Sequence, residues 1–296
     1  MFTLAHLSDP HLGPLPQVRW RELASKRALG YANWRRGRGA KLGPSSLVAL
    51  VGDLRESDPH HIAVTGDLIN IGLPAEVEAA REWLEAIGTD RDVTVVPGNH
   101  DAYLPGSIRR YSEAWAPYMR GDEGDGGTFP FVRRRGPLAL VGVSSAVATA
   151  PLMATGRIRP AQSEALAETL HQLGREDLFR VVLIHHPPVK GSTPWHKRLV
   201  GASGFRAAVA DAGAELVLHG HNHVTSVATI PGPSGAVPVV GATSASLHPH
   251  PGRPGGSYLL YRIGRRNGGF ETEMIERGAR RAGGPVETLS VRRLDG

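Results

Sequence analysis

Short, largely apolar runs recur along the chain at Phe2–Leu7, 62–65, 93–96, 138–143, 181–184 and 216–218. They are rich in Val, Ile and Leu, the pattern of strands buried on both faces. Helical spacing appears between them. Val77, Ala80, Leu84 and Ile87 recur behind Pro74, a residue suited to a first helical turn. Leu166, Leu170 and Leu173 do the same behind Pro160, with Gly174 as a stop signal. A further helix is predicted over 46–55. Alternating strands and helices predict an α/β layered fold. From Ser226 onward the pattern changes to β runs punctuated by Gly and Pro, at 227–230, 237–240, 258–263 and 270–275. With no helix between them, they predict the hairpins of a second sheet. The expected organisation is one domain over 1–276, a flexible acidic loop at 121–127 and a frayed polar tail over 277–296.

The 296 residues, 41% hydrophobic and 21% charged, can bury a sizeable core, which excludes wholesale disorder. Cysteine is absent, which excludes disulfides, a thiol nucleophile, zinc fingers and iron–sulfur clusters. No apolar run is long enough to cross a membrane as a helix. The N-terminus lacks a basic region, and Asp9 and His11 interrupt its apolar stretch, so it does not read as a signal peptide and a cytoplasmic location is expected.

Chemistry collects at the ends of the predicted strands. Phe2–Leu7 runs into Ser8-Asp9-Pro10-His11, and 62–65 into Gly66-Asp67. The run 93–96 leads to Gly98-Asn99-His100-Asp101, 181–184 to His185-His186-Pro187, and 216–218 to His219-Gly220-His221-Asn222-His223. Ligands of α/β sheets gather beyond the carboxyl ends of strands, and neighbouring strands lie only about 5 Å apart. Carboxylate, imidazole and amide donors without thiolate suit Mn, Fe, Zn or Co. Any one of Asp9, Asp67 and Asn99 could be a turn former; all three together with five histidines are better explained by metal.

The ordered series Asp-x-His, Gly-Asp, Gly-Asn-His-Asp, His-x-Pro, Gly-His-x-His, from Asp9 to His223, resembles the calcineurin-like metallophosphoesterase superfamily. The resemblance implies a four-layer αββα sandwich of two mixed β-sheets. It implies that Asp9, His11, Asp67 and His223 hold one divalent ion and that Asp67, Asn99, His185 and His221 hold a second, with Asp67 bridging. Two ions (Mn2+, Fe2+/Fe3+ or Zn2+) would then activate a bridging hydroxide for in-line attack on phosphorus. His100 would serve the leaving or phosphoryl oxygen, and Asp101 would orient His100. His186 and His219 read as packed histidines, His6 as a buried strand residue, and His60, His61 and His171 as surface ones.

Net charge is +6, yet residues 14–45 alone carry eight cations (Arg19, Arg21, Lys26, Arg27, Arg35, Arg36, Arg38, Lys41) against Glu22. This segment follows His11 directly, so it must emerge beside the site. Trp20, Leu23, Ala24, Ala28, Tyr31 and Trp34 fall on one helical stripe, predicting a basic amphipathic helix, or two broken near Gly30. It could be a cap whose arginines (Arg19, Arg27, Arg35 and Arg36 being candidates) hold substrate phosphates. It could be a peripheral membrane contact, a nucleic-acid surface, or a packed helix with solvated charges. No aromatic stacking platform supports the nucleic-acid reading.

The motif set most resembles bacterial class III cyclic-nucleotide phosphodiesterases, which implies cleavage of a phosphodiester or pyrophosphate bond. The long insert departs from them. The alternative is a membrane-associated pyrophosphohydrolase acting on a nucleotide-linked lipid such as UDP-2,3-diacylglucosamine. A nuclease subunit or a non-catalytic scaffold is less well supported: the remaining chain is short for an added DNA-binding domain, and no ligand is eroded.

Overall fold

The computed structural model describes residues 1–23, 25–39, 42–123, 128–250 and 254–294. Ala24, Lys41, the acidic loop beyond residue 123 and the side chain of Arg38 fall outside the described residues.

In chain order the strands are β1 (Phe2–Leu7), β2 (His61–Val64), β3 (Val93–Val95), β4 (Phe131–Arg135), β5 (Leu138–Gly142), β6 (Gly156–Arg157), β7 (Phe179–Leu183), β8 (Leu199–Val200), β9 (Leu216–His219), β10 (Ser226–Gly232), β11 (Gly235–Gly241), β12 (Ser257–Arg266), β13 (Gly269–Ala279) and β14 (Val286–Arg293). The α-helices are α1 (Lys26–Asn33), α2 (Pro44–Glu56), α3 (Pro74–Ile87), α4 (Pro105–Ala114), α5 (Pro160–Gly174) and α6 (Ala202–Ala212).

Two six-stranded mixed sheets result, ordered β14-β13-β12-β1-β2-β3 and β10-β11-β9-β7-β5-β4. The period of two along the strands decides the layering. In β5, Leu138 and Leu140 join the core between the sheets, while Ala139 and Val141 face the core under α5 and α6. Val181 and Leu183 of β7 point inward, and Val182 points to the helices. On the other side, α2 and α3 press Leu50, Leu54, Ala80 and Leu84 onto the first sheet. The architecture is therefore helix, sheet, sheet, helix, as the family resemblance implies. Among the described residues no helix is long and apolar enough to cross a membrane.

Two expectations need correction. The C-terminal runs do not form a separate sheet. The β10–β11 hairpin extends the β9 sheet through parallel β11–β9 pairing, and β12 pairs antiparallel with β1. Residues beyond 277 are not a frayed tail either. β13 continues to Ala279, and β14 is the ordered edge strand beside it, Met274 opposite Arg292 and Ile275 opposite Val291. Its polarity reflects an edge position, where charged side chains guard an open strand.

Candidate metal centre

β1, β2 and β3 of one sheet and β7 and β9 of the other end at a common edge, and each carries its motif into the turn that follows. Those turns are sharp. Asp9 (φ 51°), His11 (39°), Asp67 (57°), His221 (70°) and His223 (54°) all hold the left-handed conformation that non-glycine residues rarely adopt. Gly220 and Gly98 allow the loops to close: a Cβ on the first would collide with Ser8 and Asp9, and on the second with Asp67.

Asp9 is fully buried. Its Oδ2 accepts from the Ser8 hydroxyl (2.6 Å) and from the His221 backbone N–H (2.9 Å). Its Oδ1 is buried with no aligned hydrogen-bond donor, 3.1 Å from His223 Nε2 and 3.8 Å from His11 Nε2. Asp67 presents Oδ2 at 3.4 Å from His185 Nε2 and 3.8 Å from His11 Nε2, while its Oδ1 accepts the His100 backbone N–H at 2.7 Å. It thus stands between the Asp9–His11–His223 group and the His185 side, where Asn99 Oδ1 lies 3.3 Å from His185 Nε2. The outer ring nitrogens are tied to carbonyls: His11 Nδ1 to Ile69 (3.2 Å), His185 Nδ1 to Thr65 (2.6 Å) and His221 Nε2 to Lys197 (3.0 Å). Each such tie fixes the ring and leaves the other nitrogen for a ligand. The seven motif residues are brought together.

Electrostatics point the same way. Burial alone would neutralise these groups, but His223 and His185 hold Asp9 below the usual carboxylate range, and His185 and His100 do so for Asp67. His185 is pushed up to about 10, since Asp67 and Asp9 outweigh its burial. Two carboxylates in a buried pocket draw positive charge to it. A buried carboxylate oxygen without a donor, imidazoles turned by second carbonyls and an all-N/O donor set fit divalent cations.

His100 lines the cleft above these groups, its Nδ1 2.5 Å from the Asn70 carbonyl. Asp101 does not have the expected role. Its carboxylate accepts the backbone N–H groups of Asp67, Leu68, Ile69 and Gly98 (2.7–3.3 Å), so it shapes the ligand loop instead of the His100 ring. Burial and the nearby Asp67 carboxylate raise Asp101 to about 7, against the pull of those N–H donors. His186 is packed as expected, between Ser145 Oγ and the Ala154 carbonyl. His61 is not a surface residue: it is fully buried and bonded to Thr94 Oγ1 (2.7 Å).

The basic insert covers the cleft, but not as one stripe. A 3-10 turn (Trp20–Leu23) precedes α1, and a wider turn (Trp34–Arg38) follows it. The breaks fall at Ser25 (φ 79°) and Gly37 (φ 140°), not at Gly30. Gly30 is the point of closest approach, where a Cβ would strike the Tyr103 hydroxyl and Ile71. Tyr31, Leu15 and Val18 pack on Ile71, Leu73 and Tyr103, whereas Trp20 is 89% exposed. Of the four candidate arginines only Arg36 lines the cleft. Arg27 is spent on the carbonyls of Ile71 and Gly72, and Arg19 and Arg35 are exposed and do not line the cleft.

The cleft, about 670 Å³, has polar residues that the motifs did not single out. Lys26 reaches from α1 to Thr149 Oγ1 (2.9 Å) and the Met153 carbonyl, 4.7 Å above the Tyr103 ring. Burial lowers its pKa, against the attraction of Asp67. Asn70 is buried with Oδ1 unpaired, and His196 and Lys197 close the far wall. Only the charge of the insert hinted at Lys26.

Comparison with known proteins shows the family and the fold. Residues 2–225 match the family model of the calcineurin-like phosphoesterases. A probable cyclic nucleotide phosphodiesterase of Synechococcus sp. is 26% identical over 190 residues, covering 59% of this chain and 62% of that protein's length. In fold the chain is similar to a dimetal phosphatase from Danio rerio (TM-score 0.59, 13% identity, 98% of both chains). It is also similar to a purple acid phosphatase from yellow lupin, Lupinus luteus (TM-score 0.60, 11% identity, 97% of this chain and 52% of that one).

Proposed function

The chain belongs to the calcineurin-like phosphoesterase family, and from that premise we propose that it is a two-metal phosphodiesterase or pyrophosphohydrolase of a small anionic substrate. The observation that carries this reading is the position of Asp67, whose one carboxylate faces both His11 and His185. Asp9, His11, Asp67 and His223 would hold one divalent ion, and Asp67, Asn99, His185 and His221 the other; Mn2+ and Fe2+ suit the donors. Bound there, the pair supplies charge for the phosphoryl oxygens and a nucleophile from water near neutral pH.

The protein's own groups do the rest. His100 lines the cleft with Nδ1 held on the Asn70 carbonyl, and in its imidazolium form its other ring nitrogen would give a proton to the leaving oxygen. Lys26, Arg36 and Lys197 line the same cleft and favour an anion. The name of the Synechococcus relative supports a cyclic nucleotide as the substrate to try first.

The test is hydrolysis by the purified protein with Mn2+, comparing bis-p-nitrophenyl phosphate, cyclic AMP and a UDP-linked acyl sugar. Turnover of at least one is expected, with loss in Asp67→Ala. Full activity in Asp67→Ala would refute the shared-ligand assignment.

A further inference from the structure

A second cavity, about 610 Å³, lies on the other side of Trp34 from the metal cleft. Its walls are apolar: Leu42, Leu47, Val51 and Ile87, each under 9% exposed, with Trp83 behind them. Among the described residues its one arginine, Arg55, is hydrogen-bonded to the Ala86 carbonyl. His11, a candidate metal ligand, forms part of the inner end, and Val48, 72% exposed, marks the outer end.

Trp34 belongs to both cavities, and its seat is specific. A Cβ on Gly13 would come within 3.3 Å of the indole and one on Gly39 within 2.9 Å, so two glycines make room for the partition. The chamber opens to solvent beside Val48, and an aliphatic group entering it would leave water for apolar walls. Trp34 is shared with the cleft and His11 lines the chamber, so an occupant that also meets the metal site would carry an anionic phosphoester at one end and an aliphatic group at the other.

We infer that the chamber behind Trp34 binds the aliphatic chain of a phosphoester whose head group lies in the metal cleft. This rests on the hydrolase reading above and narrows its substrate class to amphiphilic phosphoesters. Each methylene that leaves water for the chamber favours binding by up to about fourfold.

The experiment is a chain-length series of alkyl p-nitrophenyl phosphates, methyl to decyl, assayed with Mn2+ below their micelle concentrations. The leaving group is constant, so kcat/KM should rise by about two- to fourfold per methylene until the chamber is full. Gly52→Phe is the blocking variant. Gly52 lines the chamber on α2, and a Cβ there meets nothing within 4 Å, so the ring enters open space without a backbone clash. The ratio of decyl to methyl kcat/KM should fall at least tenfold in this variant. Calorimetric titration of the metal-free protein with decyl phosphate should show the same loss, and a melting curve checks that the variant is folded. Should Gly52→Phe misfold, Val48→Arg at the outer end is expected to cut the same ratio. A flat series in an active wild type overturns the inference and leaves the hydrolase reading intact. No hydrolysis of any member, with decyl phosphate still bound and lost in Gly52→Phe, overturns only the hydrolase reading.

Discussion

The Nε2 atoms of His11 and His223 face each other across 3.2 Å, with the unpaired Oδ1 of Asp9 3.1 Å from the second ring. Two imidazole nitrogens and a carboxylate oxygen gathered at the floor of the cleft make a candidate site for a cation. Metal should therefore stabilise the fold. At Mn2+ about 100-fold above its Kd, linkage predicts roughly 2.7 kcal/mol of added stability. Thermal melting with and without chelator measures it. Asp9→Ala should abolish the metal-dependent shift; an undiminished shift would place the ion elsewhere.

Asp101 collects four backbone N–H groups from the two loops that carry Asp67 and Asn99. Asp101→Ala leaves those donors buried without an acceptor, at a cost on the order of 3 kcal/mol. Denaturant unfolding should show the loss. Metal affinity should fall with it, since the ligand loop is no longer held. A variant of normal stability that altered only the pH profile of kcat would instead favour the orienting role for His100.

Lys26 and Arg27 are neighbours in sequence with separate tasks. The Lys26 ammonium lines the cleft, while the Arg27 guanidinium clamps the Ile71–Gly72 carbonyls. Lys26→Met is expected to raise KM about tenfold, the loss of one charge-assisted contact, with little change in melting temperature. Arg27→Met should lower the melting temperature and leave KM within about twofold, since Arg27 does not line the cleft. Steady-state kinetics and melting curves on the pair give the answer, and equal effects on KM would remove the distinction.

His61 offers a pH test remote from the metal ligands. Burial, reinforced by Arg135 and Arg133, lowers its pKa to about 3. The unfolded chain takes up that proton near pH 6.5, so between about pH 6.5 and 3 it binds more protons than the folded one. The stability that neutral His61 contributes is complete above pH 6.5 and is lost as pH falls through that window. His61→Gln keeps a partner for Thr94 and removes the titration. Its stability should decline less steeply from pH 7 to 4, and urea midpoints across that range would show an unchanged slope if the idea is wrong.

The candidate site was legible because each motif sits at a strand end, and strand ends can be read from runs of Val, Ile and Leu. The polar C-terminal strand was not. β14 contributes charged residues to a sheet edge, so its pattern lacks the apolar signal of a central strand. His61 was misplaced for a related reason: neighbouring His60 and His61 look alike in sequence, but His60 is exposed ahead of β2, whereas β2 begins at His61 and is buried on both faces.

By itself the sequence determined the class of fold, the N/O donor set and the loops that deliver it, because local periodicity and turn-forming residues act over a few positions. Tertiary structure decided which cations of the insert line the cleft, that Asp101 grips backbone, and that Trp34 lies between a polar cleft and an apolar chamber. Those outcomes depend on how elements dozens of residues apart pack together. A helix's own spacing does not say which neighbour its face will meet.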